Sequence, residues 1–431
     1  MWQIEKLGDA IKLEYGKPLP DSKRKYNGKY PVYGANGEKD RTDEYYCSKR
    51  SIIVGRKGSA GEVNLTEERF WPLDVTYYVD FDNNQYDLIF LYHLLKRLRL
   101  SQFVRGVKPG INRNDVYSIS VAVPPLFEQK RIVAKIESLF SRLDSAKVSL
   151  LRVHAEIKRY RQSVLKSAFE GKLTETQCEY KNTTINGLKA TLCGDWFVCR
   201  MGNFVKLQGG FAFKSKEFVL DGIPIVKIAN VNVDNIDWTD RTCIARNRLS
   251  EFKSFQLKVG DILVAMTRPV IKSLNTVKVV VVRENDLPAL LNQRVGRFVL
   301  DGRVNNNYLR HYISTDFFKK RVVFESSSSQ QPNISSNSIE NFDFILPKNM
   351  DTQIEIVKAI ESRFERAKVL EETVEQGLEK IEQLKQSILK EAFEGKLVEP
   401  DPNDEPVEVL LERIKNEKLS LVGRKEDESS V

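Results

Sequence analysis

Gln162-Ser163-Val164-Leu165-Lys166-Ser167-Ala168-Phe169-Glu170-Gly171-Lys172-Leu173 returns as Gln386-Ser387-Ile388-Leu389-Lys390-Glu391-Ala392-Phe393-Glu394-Gly395-Lys396-Leu397, an offset of 224 residues. The same offset carries Gln129, Ile132, Val133, Ile136, Glu137, Ser138 and Phe140 onto Gln353, Ile356, Val357, Ile360, Glu361, Ser362 and Phe364. Self-similarity on this scale decides the architecture before any residue-level reading. Upstream the likeness thins. Pro109, Ile111 and Pro124 match Pro332, Ile334 and Pro347 at an offset of 223, and Ile52-Ile53-Val54 resembles Ile262-Leu263-Val264. The chain reads as two copies of one unit, each a globular domain followed by a long helix. Divergence concentrated in the globular parts suits two readers built on one scaffold for different targets, although loss of function in one copy would leave the same pattern.

In the first helix the apolar positions run Ile132, Ile136, Leu139, Leu143, Ala146, Leu150, Val153, Ile157, Tyr160 and Val164, in steps of four and three. Pro124 and Pro125 stand before it and Gly171 after it, as start and stop signals require. About 40 residues of helix span roughly 60 Å. The second copy runs Ile356, Ile360, Phe364, Ala367, Leu370, Val374, Gly377, Ile381, Leu384 and Ile388, with Asp351 as the expected N-cap and Gly395 as the stop. Residues 128–172 hold 11 Lys or Arg against 5 acids, and residues 352–396 hold 8 against 10. Opposite balances favour pairing of the two helices as an antiparallel coiled coil with pseudo-twofold symmetry. Tethering in one chain favours it further, the alternative being homodimerisation through each seam.

The 431 residues carry a formal net charge of +9, spread over the chain rather than gathered in a basic tail. That balance favours a polyanionic partner. Cys47, Cys178, Cys193, Cys199 and Cys243 form no CxxC pair and only three histidines are present. Reduced thiols and no structural metal are therefore expected. The N-terminus lacks the pattern of a signal peptide and no apolar run is long enough to span a bilayer, so a cytoplasmic protein is expected.

Residues 1–123 alternate β-like runs, Ser51 to Val54 and Val75 to Val79, with glycine-rich turns. A helical stretch from Asp87 to Lys96 precedes the polar loop 105–114. Arginine and lysine bond guanine edges or phosphates, and asparagine and glutamine bond adenine edges. The candidate DNA-contacting residues of this domain are Tyr33, Asn36, Arg56, Lys57, Lys108, Asn112, Arg113 and Asn114. A second α+β domain over 196–346 has strands at 223–228, 260–264 and 278–283. Its candidates are Phe211, Lys214, Lys227, Asn230, Thr267, Arg268, Arg294, Gln330 and Gln331. A solvated surface or turn role is the competing reading for each residue taken singly. The remaining spans are a helix over 124–173, a linker over 174–195, a helix over 347–397 and a charged tail over 398–431. Within that tail, Val407 to Ile414 has an amphipathic pattern.

The chain contains no glycine-rich cofactor loop after a strand and no polar-Pro-Pro-aromatic tetrad for gripping a flipped base. It also lacks a GxxxxGK[ST] phosphate loop. These absences argue against a methyltransferase or a translocating ATPase. A DNA-binding module leads, ahead of a standalone DNA-modifying enzyme and a coiled-coil adaptor that binds protein.

Pro124-Pro125-Leu126-Phe127-Glu128-Gln129, followed by a long helix ending in Ala168-Phe169-Glu170-Gly171-Lys172-Leu173, resembles the specificity subunits of type I restriction-modification enzymes. Tyr30 to Gly37 and Asn333-Ile334-Ser335 resemble the target recognition domains of that family, and the likeness covers nearly the whole chain. The resemblance implies two target recognition domains that read the halves of a bipartite, asymmetric DNA target, with the helices as a ruler for the unread spacer. It implies two methyltransferase subunits and two translocase-nuclease subunits as partners. S-adenosylmethionine, ATP and magnesium then serve those partners, and this chain needs no cofactor. One departure is Leu346-Pro347-Lys348-Asn349-Met350-Asp351-Thr352-Gln353, where the Pro-Pro-Leu-x-Glu-Gln form is degraded.

Overall fold

The computed structural model describes residues 2–107, 109–174, 178–194, 196–233, 235–271, 276–327, 332–399 and 401. The chain is α+β and divides into two units, Met1–Leu151 with Glu375–Val431, and Arg152–Val374. Each unit holds one globular domain, half of the helix Leu126–Phe169 and half of the helix Met350–Phe393.

In the first unit a four-stranded antiparallel sheet runs in the order Lys12–Tyr15, Thr76–Asp80, Ile52–Gly55 and Val63–Leu65. A smaller sheet orders Gly37–Thr42, Tyr30–Gly34 and Trp71–Pro72, its last pair parallel. Gln3–Lys6 pairs antiparallel with Ser120–Val123, the strand that feeds the long helix. Helix Leu88–Arg97 is capped by the Asp87 carboxylate, which accepts from the backbone amides of Ile89 and Phe90. The cap satisfies donors that no intrahelical carbonyl reaches.

The second unit repeats this plan. Its four-stranded sheet orders Val205–Gly209, Val295–Leu300, Ile262–Ala265 and Val279–Val281. Its second sheet also contains a parallel pair, Ile223–Val226 beside Leu290–Leu291. Phe197–Arg200 pairs with Asp343–Leu346, and helix Asn306–Ile313 is capped by Asn305.

The long helices run antiparallel within each unit, since the partner number falls as the residue number rises. In the first unit Asp144 pairs with Lys385 at 2.6 Å and Lys147 with Glu382 at 2.7 Å. In the second, Arg161 pairs with Glu371 at 2.8 Å. Lys385 lies 5.1 Å from the Phe140 ring centre, and Arg161 occupies the matching place 5.7 Å from Phe364.

The expected seam is only partly a helix-to-helix seam. Ile132 and Ile136, the first turns of one helix, are buried in the globular core of the first unit together with Leu389 and Ala392 from the last turns of the other. Ile356 and Ile360 join Val164, Leu165, Ala168 and Phe169 in the core of the second unit. Leu139, Leu143, Leu150, Phe364 and Ile388 are half-buried, while Ile157, Val374 and Ile381 are buried. Val153, Leu370 and Leu384 are exposed, contrary to the heptad reading. A strict 3.5-residue period drifts relative to a straight helix, so some positions of the register turn out to solvent. Gly377 fits the helix crossing, because a Cβ there would stand 2.9 Å from the Leu150 side chain.

Three further expectations are corrected. Residues 174–195 are not a plain linker: Tyr180–Ile185 and Leu188–Cys193 form a hairpin whose Ile185, Ala190, Leu192 and Cys193 enter the second unit's core. Its turn is Asn186-Gly187, both at positive φ, the pairing that a two-residue hairpin of this type requires. Cys178 is disulfide-bonded to Cys193 rather than free. The cap of the second long helix is Asn349, whose side-chain oxygen accepts from the Thr352 amide at 2.8 Å, and not Asp351. Lys108 and the tail stretch 407–414 lie outside the described residues. Among the described residues no helix is long and apolar enough to cross a membrane.

Candidate nucleic-acid interface

At one rim of the first unit's main sheet, three chain segments meet. Arg56 follows strand Ile52–Gly55, its backbone amide donating to the Val75 carbonyl at 2.9 Å and its carbonyl accepting from Ile111 at 3.0 Å. Lys57 bridges Gly110, and Gly110 closes the turn by exchanging hydrogen bonds with Arg105. Asn112 caps the helix Arg113–Tyr117 by accepting from the Asn114 amide at 2.9 Å. That bond places Arg113 at the helix start and leaves Asn114 exposed.

Two guanidinium groups converge on one ring here, Arg56 at 5.1 Å and Arg113 at 5.4 Å from the centre of Tyr15. Tyr15 pairs across the sheet with Tyr77, the ring centres 5.1 Å apart. Arg56 also lies 6.0 Å from the Tyr77 ring. Burial and a hydrogen bond with Tyr15 push the Tyr77 hydroxyl up to about 12, so it stays a neutral donor. Among the described residues neither Arg56 nor Arg113 has a carboxylate partner, and the Nε of Arg56 is buried without a hydrogen bond. Planar cations braced on rings and lacking an internal anion are suited to an external acceptor.

The smaller sheet of the same unit carries a second aromatic and cationic cluster, which the sequence reading missed. Arg69 lies 5.1 Å from the Tyr45 ring and its Nη1 donates to the Tyr30 hydroxyl at 3.4 Å. The Arg69 hydrogen bond, followed by one from Lys29, holds the Tyr30 hydroxyl below its ordinary value. Tyr26, 96% exposed, lies in the loop before this sheet.

The sequence candidates of the first unit divide. Arg56, Lys57, Asn112, Arg113 and Asn114 are brought together at the rim, and Asn36 is exposed in the Tyr30–Thr42 hairpin. Tyr33 is a core residue at 6% exposure, edge-on to Phe70 at 6.0 Å. Its strand is buried at every position from Pro31 to Gly34, so Tyr33 is not available to DNA.

In the second unit the corresponding rim is held by the same backbone bonds. Ile334 donates to the Met266 carbonyl at 2.8 Å, Met266 donates to Arg294 at 3.0 Å, and Thr267 bridges Asn333. Arg268 and Arg294 are exposed, with no ion pair among the described residues. Arg268 sits at φ 49°, its amide donating to Pro332 at 2.7 Å, and the Thr267 hydroxyl is buried without a partner. Phe211 is partly exposed on a cluster with Phe213, Phe252 and Phe255, ring centres 5.0–5.6 Å away. Lys214 is exposed beside it, its amide donating to Glu217.

Asn230 is corrected to a structural role. It is 1% exposed, its amide donates to the carbonyls of Asp237 and Asp240, and its oxygen accepts from the Lys227 amide. Lys227 is paired with Asp240 at 3.1 Å and half-buried. Gln330 and Gln331 lie outside the described residues. Tyr15 escaped the sequence reading because its partners, Arg56, Tyr77 and Arg113, lie 41 to 98 positions away and meet only through sheet pairing.

Comparison with known proteins agrees with this arrangement. The chain is 27% identical over 411 residues to the type I restriction enzyme MjaVIII specificity subunit of Methanocaldococcus jannaschii, covering 92% of this chain and 93% of that protein. It is 25% identical over 420 residues to the EcoBI specificity subunit of Escherichia coli, covering 88% and 82%. Its fold resembles a solved chain described under complex assembly and conformational transition of the type I R-M system, with TM-score 0.65, 17% identity and coverage of 92% and 98%. It also resembles the HsdS subunit from Thermoanaerobacter tengcongensis, with TM-score 0.52, 17% identity and coverage of 92% and 97%. The family model for the type I restriction modification DNA specificity domain matches residues 1–151 and 194–380. With that match over most of its length, the chain belongs to the type I restriction-modification DNA specificity family.

Proposed function

We propose that this chain reads a bipartite, asymmetric DNA target, each unit reading one half, and that catalysis resides in its partners. The observation that carries the reading is one scaffold with two chemistries. Both units share strand order, the helix cap and the backbone bonds at the rim, yet the first presents Arg56, Lys57 and Arg113 there and the second Arg268 and Arg294. A shared scaffold with divergent loop chemistry is what two different half-sites demand. Two methyltransferase and two translocase-nuclease subunits would complete the enzyme, in the cytoplasm, with no cofactor held by this chain. The exposed apolar residues Val148 and Leu151 on the first long helix are available to such partners.

The test is long-read mapping of methylated adenines in a host carrying the neighbouring methyltransferase, with and without this chain. A split motif with a fixed gap, present only with the chain, supports the reading. Chain-independent methylation, or a continuous motif, contradicts it.

A further inference from the structure

The rims of the two units superpose residue by residue through their hydrogen bonds. Ile111 donates to Arg56 where Ile334 donates to Met266, and Lys57 bridges Gly110 where Thr267 bridges Asn333. Tyr15 pairs with Tyr77 where Gly209 pairs with Gly296, and both Val54 and Val264 stand opposite those partners. The helix caps Asn112 and Ser335 also correspond, placing Arg113 opposite Ser336. Thus Tyr15, Tyr77, Arg56 and Arg113 of the first unit correspond to Gly209, Gly296, Met266 and Ser336 of the second. The backbone is kept and the whole side-chain stack is absent.

A contact to phosphate carries no sequence information, so a scaffold that binds DNA twice has no need to restrict such a contact to one copy. A stack found in one copy only is what base reading requires. Its form points to the base. Two planar guanidinium groups on one ring, without a carboxylate, present a fixed fork of donors, and such a fork matches the O6 and N7 acceptors of guanine. Arg113 is exposed and free to reach out, while Arg56 is half-buried against both rings.

We propose that Arg113 reads a guanine in the half-site of the first unit, with Tyr15 as the positioning residue that holds its guanidinium plane. This rests on the two-reader proposal and deepens it by naming a base and the residues that select it. The second unit, with glycine, methionine and serine at these places, reads no guanine by this device.

The experiment is competition binding by the chain assembled with its methyltransferase, using duplexes in which each base pair of the half-site is replaced in turn, at two salt concentrations. The wild type should prefer guanine at one position by roughly 5- to 150-fold, the range of one bidentate base contact. Arg113→Lys, which keeps the charge, and Tyr15→Leu should each reduce that preference to within about threefold at that position only, with the salt slope unchanged. Tyr15→Phe should retain it. Equal weakening on every duplex with a shallower salt slope would make Arg113 a phosphate contact and overturn the proposal, as would lost discrimination at a position that does not select guanine. Retained guanine preference in both Arg113→Lys and Tyr15→Leu overturns it too. Loss of discrimination in the other half-site would instead overturn the two-reader reading on which it rests.

Discussion

Gln353 accepts a hydrogen bond from the backbone amide of Asn305 at 2.8 Å. In the other unit Gln129 accepts from Asp87, again at 2.8 Å. Each glutamine also donates to a nearby carbonyl, Gln353 to Arg303 at 3.1 Å and Gln129 to Gln85 at 3.0 Å and Pro124 at 2.9 Å. Each therefore clamps the start of a long helix to the capping residue of the shorter one. The degraded proline motif before Gln353 leaves this joint intact.

Because both glutamines are buried, removing either strands a backbone amide and a carbonyl. Gln353→Ala and Gln129→Ala should each cost about 1–3 kcal/mol, measured as a lower urea midpoint. Gln353→Glu should not recover this, since a buried carboxylate loses its hydration and sets an oxygen against the Arg303 carbonyl. No change in the midpoint of either alanine variant would contradict the clamp.

The buried imidazoles of His93 and His311 stand edge-on to Phe140 and Phe364, ring centres 5.7 and 5.8 Å apart. Burial first, then Lys96 for His93 and Arg310 for His311, lowers each to about 4 from the ordinary 6.5. Between these values the unfolded chain binds protons that the folded chain refuses. Stability is therefore full above about pH 6.5 and falls as pH drops toward 4, by roughly 3 kcal/mol for an unpaired group. His311 should lose as much, since burial lowers it to the same value although Glu361 lies 3.8 Å away. Urea midpoints from pH 7 to 4.5 should fall steeply in the wild type and less in His93→Phe. An identical pH dependence in that variant would contradict the assignment.

Gly171 and Gly395 end the long helices at φ 82° and 69°. A Cβ on Gly395 would stand 3.5 Å from the Trp2 indole, an ordinary contact, whereas one on Gly171 would stand 2.7 Å from that of Cys193. Gly395→Ala should cost about 1 kcal/mol for the left-handed backbone alone. Gly171→Ala should cost visibly more in the same thermal melts, and equal losses would refute the packing difference.

The exposed heptad positions separate the helix contacts that matter from those that do not. Val153→Ala should lie within about 0.5 kcal/mol of wild type, while Ile157→Ala, four residues on and buried, should cost about 2–4 kcal/mol. A large loss from Val153→Ala would restore the heptad seam.

The repeat made much of this fold legible, because a duplicated apolar and helix-stop pattern constrains two helices at once. Both glycine stops follow from local rules that tertiary packing did not override. Position along the helices was less legible: Ile132 and Ile356 carry the same period as Val153, but globular domains cover the first two and solvent the third. At the rim, Arg56, Lys57 and Arg113 were legible as loop cations, whereas Tyr15 was not. Its meaning comes from strand pairing across the sheet, and nothing in its own neighbourhood distinguishes it from a surface tyrosine. Asn230 failed for the converse reason, since a polar loop residue that folds inward to hold its own turn looks the same in sequence as one facing DNA.

The central claim is that each unit reads its own half of the target, and paired adenine-methylation maps test it most directly. One map would come from a host carrying Arg113→Ala with Asn114→Ala, the other from a host carrying Arg268→Ala with Arg294→Ala. The account predicts that the first pair relaxes one half of the split motif, the second pair relaxes the other, and the gap keeps its length in both. Relaxation of the same half by both pairs, or of both halves by either, would contradict it.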